Sequence, residues 1–195
     1  MKKIFSILIC LTLFTQSYAD SPLTSTFFAT AYADQPLIKQ ILDVRGMDEK
    51  YNFDLTSEML KYFDDISITL DKKVALINAL GWGDDKNTGI FKKHLSKKYG
   101  LQESDIDQIL ILEVNETSVL PESAKKISND DLVLLGYLQI MGNYFEPTRG
   151  ILAIEAAITN NMGSEATAWV YSLLAAQIYL DISWCEVYVS VSEFL

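Results

Sequence analysis

"DDLVLLGYLQIMG", residues 130–142, is the stretch that decides the fold class. Two acids open it, Asp130 and Asp131, and the body behind them is almost wholly apolar. Carboxylates suit the positive end of a helix, and an apolar body with no polar face suits a helix enclosed on most of its sides. The spacing therefore predicts a central buried helix, and an all-α protein built around it.

Working backwards, the apolar positions keep a helical period in segment after segment. Pro36 is placed as a first helical residue, with Leu37, Ile38, Ile41 and Leu42 on one stripe behind it. A loop over residues 46–53 follows. In "LTSEMLKYFDDI" the residues Leu55, Met59, Leu60 and Phe63 share a face. "TLDKKVALINALGW" places Leu70, Val74, Ile77 and Leu80 together, with Thr69 as N-cap and Gly81 as terminator. Thr88 is expected to cap the next helix, which carries Ile90, Phe91, His94, Leu95 and Tyr99 and stops at Gly100. Ser104, with Asp105 and Asp107 behind it, starts another, whose Ile106, Ile109, Leu110 and Val114 face inward.

Residues 115–128 read as a connector. Working forwards, Pro147 opens a helix with Ile151, Ile154, Ala157 and Ile158 inward, and Ser164 caps one carrying Trp169, Val170, Leu173, Leu174 and Ile178. The final "VYVSVSEFL" alternates like a strand, while Ser183 and Glu186 form a capping box that favours helix. About eight helices result, as stacked antiparallel hairpins or a compact bundle.

The amino terminus, "MKKIFSILICLTLFTQSYAD", has two lysines, a largely apolar run of about 11 residues and small residues at Ser17 and Ala19. That is the pattern of a bacterial secretory signal peptide cut after Ala19. The run falls short of the roughly 20 residues that span a bilayer, and the bulky Ile9 before Cys10 argues against lipidation. The expected organisation is signal peptide 1–19, a flexible, hydroxyl-rich leader 20–34 and one helical domain 35–195, in the periplasm or secreted, with no membrane insertion after cleavage. Cys185 would then be the single remaining cysteine, with no internal disulfide to make.

The whole chain has 16 basic and 26 acidic residues, net −10. Loss of Lys2 and Lys3 would leave 14 against 26, or −12. Such a surface repels phosphate backbones and favours encounter with a basic partner. Nucleic acid is excluded as a partner on that ground; a basic protein or peptide is expected.

Catalytic signatures are sparse. The one histidine, His94, lies among lysines in "FKKHLSKK", which disfavours a general base. One histidine and one mature cysteine leave little for zinc, and no glycine-rich phosphate loop follows a strand-like run. No catalytic, cofactor or metal residue is assigned. Glu155, flanked by apolar residues in "GILAIEAAITN", is the acid whose pKa burial would raise. Asn78, Gln139 and Gln177 are polar residues in apolar helices, suited to cross-linking them.

In "LGWGDDKNTGIF", residues 80–91, Asp85, Asn87 and Gly89 alternate as in a calcium loop. The twelfth position holds Ser96 or Leu95, not the bidentate carboxylate, and Lys86 adds a positive charge. A turn between helices explains more of its residues. A shift of 61 residues sets Gly81 and Gly89 over Gly142 and Gly150, suggesting a repeated helix, loop, helix unit. Candidate partner-binding residues are the two loop tips: Asp84 and Asp85, with Tyr144, Phe145 and Glu146.

Gly150, Ile154 and Ala157 keep a small-x3-large-x2-Ala pattern, and Tyr171, Leu174, Ala175 and Ile178 an aromatic-x2-Leu-small-x2-large pattern. Over residues 132–180 this resembles tetratricopeptide-type helical repeats. Met162 replaces the family's proline, and Lys93 stands where the first copy needs a large apolar residue. The resemblance implies a hairpin stack that holds a peptide or protein. The expected function is an exported, acidic binding module, in its specific form an immunity or inhibitor protein against a basic toxin. The alternatives are a carboxylate enzyme acting on cell-wall glycan or peptide, and a structural factor of the envelope.

Overall fold

The computed structural model describes residues 27–48, 52–83, 85–111, 121–143, 148–160 and 165–179. Among the described residues there are nine α-helices: α1 Phe27–Ala31, α2 Pro36–Asp48, α3 Ser57–Asp64, α4 Leu70–Leu80, α5 Lys86–Tyr99, α6 Glu103–Ile111, α7 Asn129–Gly142, α8 Ile151–Asn160 and α9 Glu165–Tyr179. A 3-10 turn, Ala124–Lys126, precedes α7. The described residues contain no strand, only an isolated antiparallel bridge between Asn52 and Gly81. The fold is all-α.

Two helices form its centre. In α7 every residue from Asp131 to Leu138 is buried, and the helix packs against α4, α5, α8 and α9. In α4 the same holds from Lys73 to Leu80, and its neighbours are α1, α2, α7 and α9. Over these spans neither helix has an exposed face; α7 is apolar behind Asp131, and α4 buries only Lys73 and Asn78 among its apolar residues. The flanking helices are one-sided: α3 buries Met59 and Phe63, and α5 buries Phe91 and Leu95. The rings of Phe63 and Phe91 meet edge to face at 5.6 Å, tying α3 to α5.

Several helix ends follow the expected chemistry. The Thr56 hydroxyl accepts the Met59 N–H at 3.3 Å, and Ser128 accepts that of Asp131 at 3.2 Å. Gly100 ends α5 in the left-handed region, φ 65°, and its N–H bonds the Ser96 carbonyl. Thr69 stands at the N-cap of α4 without capping; its hydroxyl bonds Asp71 instead.

Other ends differ. Helix α2 continues through the glycine at 46 to Asp48, where a loop was expected. Helix α5 begins two residues before Thr88, so Thr88 is buried in the first turn and its hydroxyl has no hydrogen-bond partner. At α6 it is Asp105, not Ser104, that serves the helix start, its carboxylate accepting the Gln102 N–H at 3.1 Å.

Part of the segment expected as a leader, 20–34, is helical. Residues Phe27–Ala31 form α1, with Ala29 fully buried against α4 and Tyr32 bonded to Asp71. The composition of the segment is hydroxyl-rich, but Phe28 and Ala29 find apolar neighbours and a polar anchor in the core. The anchor is Asn78, whose Oδ1 accepts the Ala29 N–H at 3.0 Å while its Nδ2 donates to the Tyr137 hydroxyl at 3.3 Å. One buried amide thus joins α1, α4 and α7, as expected of a polar residue inside an apolar helix.

The two glycine-bounded units do not pack alike. Helices α7 and α8 lie along each other, whereas α4 and α5 hardly touch and α5 packs on α7. Gly89 is an ordinary helical residue inside α5, while its counterpart Gly150 has φ 91°. The loop after α4 is a junction: the Gly83 N–H satisfies the Met141 carbonyl at 2.8 Å, near the end of α7. Residues 1–19, expected to be a signal peptide, and Val114, Pro147, Ser164 and residues 183–195 lie outside the described residues.

Candidate functional site

The N-terminal ends of α4, α7 and α9 come together beside α1. Each of these helices places an acid in its first turn, Asp71, Asp130 and Glu165 respectively, where it complements the positive end of its own helix. Gathered in one place, the three carboxylates line a cavity of about 550 Å³. Phe28 and Tyr32 from α1 and its following turn, and Trp169 from α9, supply aromatic walls. Leu70 and Ala166 are buried lining residues, and Thr69 and Glu165 are exposed ones.

The walls are held in place. Phe28 and Tyr32 meet edge to face at 5.5 Å. The Tyr32 hydroxyl donates to Asp71 Oδ2 at 2.5 Å. That bond, burial, and the negative charges of Asp71, Glu165 and Asp34 push the phenol up to about 12. Burial raises the Asp71 carboxyl, but the bonds from Thr69 and Tyr32 outweigh it and hold the pKa below its usual value. Lys73, almost fully buried, brings its ammonium within 3.8 Å of Asp130. Lys73 pairs with Asp130 alone and does not line the cavity, and each carboxylate is partly offset by the positive end of its own helix, about half a charge.

A second polar cluster braces α3, α5 and α7. The Lys98 ammonium lies 2.8 Å from both Asp64 and the buried Asp131, and the Tyr99 hydroxyl donates to Asp131 at 2.5 Å. His94 Nε2 sits 3.0 Å from Asp64, its ring stacked on Phe91 at 6.0 Å. Burial alone would lower the Lys98 pKa; the bonds to Asp131 and Asp64 reverse that and raise it well above its usual value. Burial and the bond to Asp131 both raise the Tyr99 phenol. The cluster closes on itself: the Tyr99 oxygen also accepts the Ser128 N–H at 3.1 Å. The cluster fixes where α7 begins.

Of the sequence-predicted site residues, Asp85 is exposed at the start of α5; Asp84, Tyr144, Phe145 and Glu146 lie outside the described residues. The neighbouring loop residues form contacts within the fold. Asn87 Oδ1 accepts the Leu55 N–H at 2.7 Å and its Nδ2 donates to the Phe53 carbonyl at 2.8 Å, while Lys86 pairs with Asp54 at 2.5 Å. Asn87 therefore clamps an extended segment and is not oriented as a loop ligand.

Glu155 is half-buried on α8. Burial raises its pKa, moderated by a 3.4 Å bond from the Tyr171 hydroxyl. It does not line the cavity at the three helix starts. Of the cavity acids, Asp130 is read from the sequence as a helix-start carboxylate; Asp71 and Glu165 carry the same signal, an acid in the first turn of an apolar helix. Trp169 was assigned to the packed stripe, and it is instead half-buried at the stripe's margin. Among described residues, no helix is long and apolar enough to cross a membrane.

No protein-family model, curated protein or solved structure matches this chain.

Proposed function

We propose that this chain is an exported, acidic helical binding protein whose partner is a basic protein or peptide, in its specific form an immunity or inhibitor protein that neutralises a cationic toxin in the periplasm. The observation that carries the reading is the cavity where Asp71, Asp130 and Glu165 meet three aromatic rings. The signal-peptide pattern of residues 1–19, the net charge of −10 and the tetratricopeptide-like pattern of residues 132–180 support it. Acidic complementarity speeds encounter and selects the sign of the partner, and it weakens as salt rises. Affinity capture from a periplasmic extract at low ionic strength should recover a basic protein that salt elutes. Recovery of no partner, or of one held equally at high salt, would sink the proposal.

A carboxylate enzyme acting on cell-wall glycan or peptide is the second reading, and the raised pKa of half-buried Glu155 favours it. Glu155→Gln should then abolish turnover of wall fragments. Equal activity in both forms, or none in either, removes this reading.

A further inference from the structure

We infer that the groove between α2 and the extended segment leading into α3 receives an extended segment of the basic partner, which pairs with the outer backbone edge of residues 52–54 and sinks aliphatic side chains against Val44. The inference rests on the partner's being basic as proposed above. The groove exists because its two walls pack elsewhere: α2 rests on α4, and α3 is tied to α5 through Phe63 and Phe91. Between them a space of about 300 Å³ is lined by Leu37, Ile41 and Val44 from α2 and by Phe53 and Met59 opposite. Val44 is 36 % exposed, one of two large apolar side chains so exposed among the described residues.

The backbone beside the groove is half used. An extended chain turns its N–H and C=O groups to alternate sides, residue by residue. On the inner side the Phe53 N–H bonds the Leu80 carbonyl at 2.9 Å, and the Asn87 amide takes both the Phe53 carbonyl and the Leu55 N–H. Asn52 and Asp54 turn theirs to the outer side, where no described residue bonds them. A docked helix satisfies its own backbone and would cover those groups unpaired; an extended segment completes them as an added strand.

Charge selects the occupant. Asp54 and Glu58 line the groove and no lysine or arginine does. Asp54 is already paired with Lys86, so Glu58, exposed and without an ion-pair partner among the described residues, is the carboxylate open to a partner. Arg45 lies 5.9 Å from the Phe53 ring centre, outside the lining. A second copy of this chain would set these acids against their own equivalents, and like charges across a strand pair repel. A segment with aliphatic residues at alternate positions and lysines between them meets both the apolar wall and the acid.

The test uses the full chain and the acetylated, amidated peptide Lys-Val-Lys-Val-Lys, followed through the Asp54 amide and Val44 methyl resonances. Saturable shifts at both are expected in the millimolar range or below. The counterpart with glutamates in place of its lysines, and the same peptide N-methylated at its inner amides, should leave both resonances in place. Val44→Ser alters an exposed residue, so the fold should persist by circular dichroism while peptide affinity drops about tenfold. Equal binding of either control peptide, unchanged affinity in Val44→Ser, or no saturable shift would each overturn the assignment.

The two proposals fail separately. A captured basic partner whose affinity is indifferent to both Val44→Ser and Glu58→Gln leaves the binding function standing and removes the groove. Peptide binding without any captured partner does the reverse.

Discussion

Gly136 in α7 faces Gly150 at the start of α8 so closely that neither position has room for a side chain. A Cβ on Gly136 would lie 2.6 Å from the Gly150 carbonyl oxygen and 2.7 Å from Ile154 Cγ1. A Cβ on Gly150 would lie 2.7 Å from the Gly136 carbonyl oxygen, and Gly150 also has φ 91°. The two backbones touch, and this contact sets the distance between the hairpin helices.

Gly136→Ala should therefore destabilise the protein by about 2–3 kcal/mol, because both nearest atoms belong to packed structure. Gly89→Ala is the matched control. Nothing lies within 4 Å of a Cβ there and the residue is helical, so the substitution should stabilise by about 0.5–1 kcal/mol. Urea unfolding of the two variants measures both. Equal effects would mean that the α7 and α8 backbones are not in contact.

Removing the Asn78 amide should loosen α1 before anything else. Asn78→Ala leaves the Ala29 N–H and the Tyr137 hydroxyl without this partner inside the core, a cost of about 2–3 kcal/mol. Hydrogen exchange locates the effect: protection at the Ala29 amide should fall more than at α7 amides. Uniform loss across both helices would contradict the anchoring role.

Thr88 offers the opposite case. Its hydroxyl is buried without a partner, so Thr88→Val removes a desolvated polar group and keeps the β-branched shape. A gain of about 1 kcal/mol in unfolding free energy is expected. A loss would show that the hydroxyl is bonded in solution.

The acid limb of stability should follow Asp64 and Asp71. Burial raises both carboxyls, but hydrogen bonds outweigh it, from Lys98 and His94 at Asp64 and from Thr69 and Tyr32 at Asp71, so both folded pKa values are depressed. A depressed folded pKa contributes stability that is present above the unfolded value, about 3.9, and is lost as pH falls through the folded one. Glu155 works in the other direction: its raised pKa favours the folded protein at low pH, and that contribution disappears as pH rises. Glu155→Gln should accordingly stabilise the protein slightly at pH 7 and not at all near pH 3. Urea midpoints between pH 3 and pH 7 for wild type, Asp64→Asn and Glu155→Gln test the signs, and a wild-type midpoint that climbs on acidification would refute the assignment.

Alkaline titration reads the cavity itself. The Tyr32 phenol, pushed up to about 12 by its bond to Asp71, by burial and by the negative charges around it, should ionise after the exposed tyrosines. Ultraviolet difference spectra of wild type and Tyr32→Phe should differ by one phenol titrating above pH 11. A difference confined to pH near 10 would show that the Tyr32–Asp71 bond does not persist.

The sequence by itself determined the all-α class, the identity of the buried central helix and most of its neighbours' inward faces. Those properties are local: "DDLVLLGYLQIMG" has no polar side to present to water, and Met59, Phe63, Ile106 and Ile109 repeat with the period of a helix. Gly100 was legible as a terminator for the same reason, since a left-handed residue needs only its own backbone. Tertiary structure alone decided which ends meet. First-turn acids at Asp71, Asp130 and Glu165 look alike in sequence, each serving its own helix, and only the packing of α4, α7 and α9 turns them into one cavity with Trp169 at its wall. It also decided that residues 27–34 dock, because the Asn78 amide and the Asp71 carboxylate that hold them lie more than 35 positions away in the chain, at separations of 49 and 39 residues, beyond the reach of any local pattern.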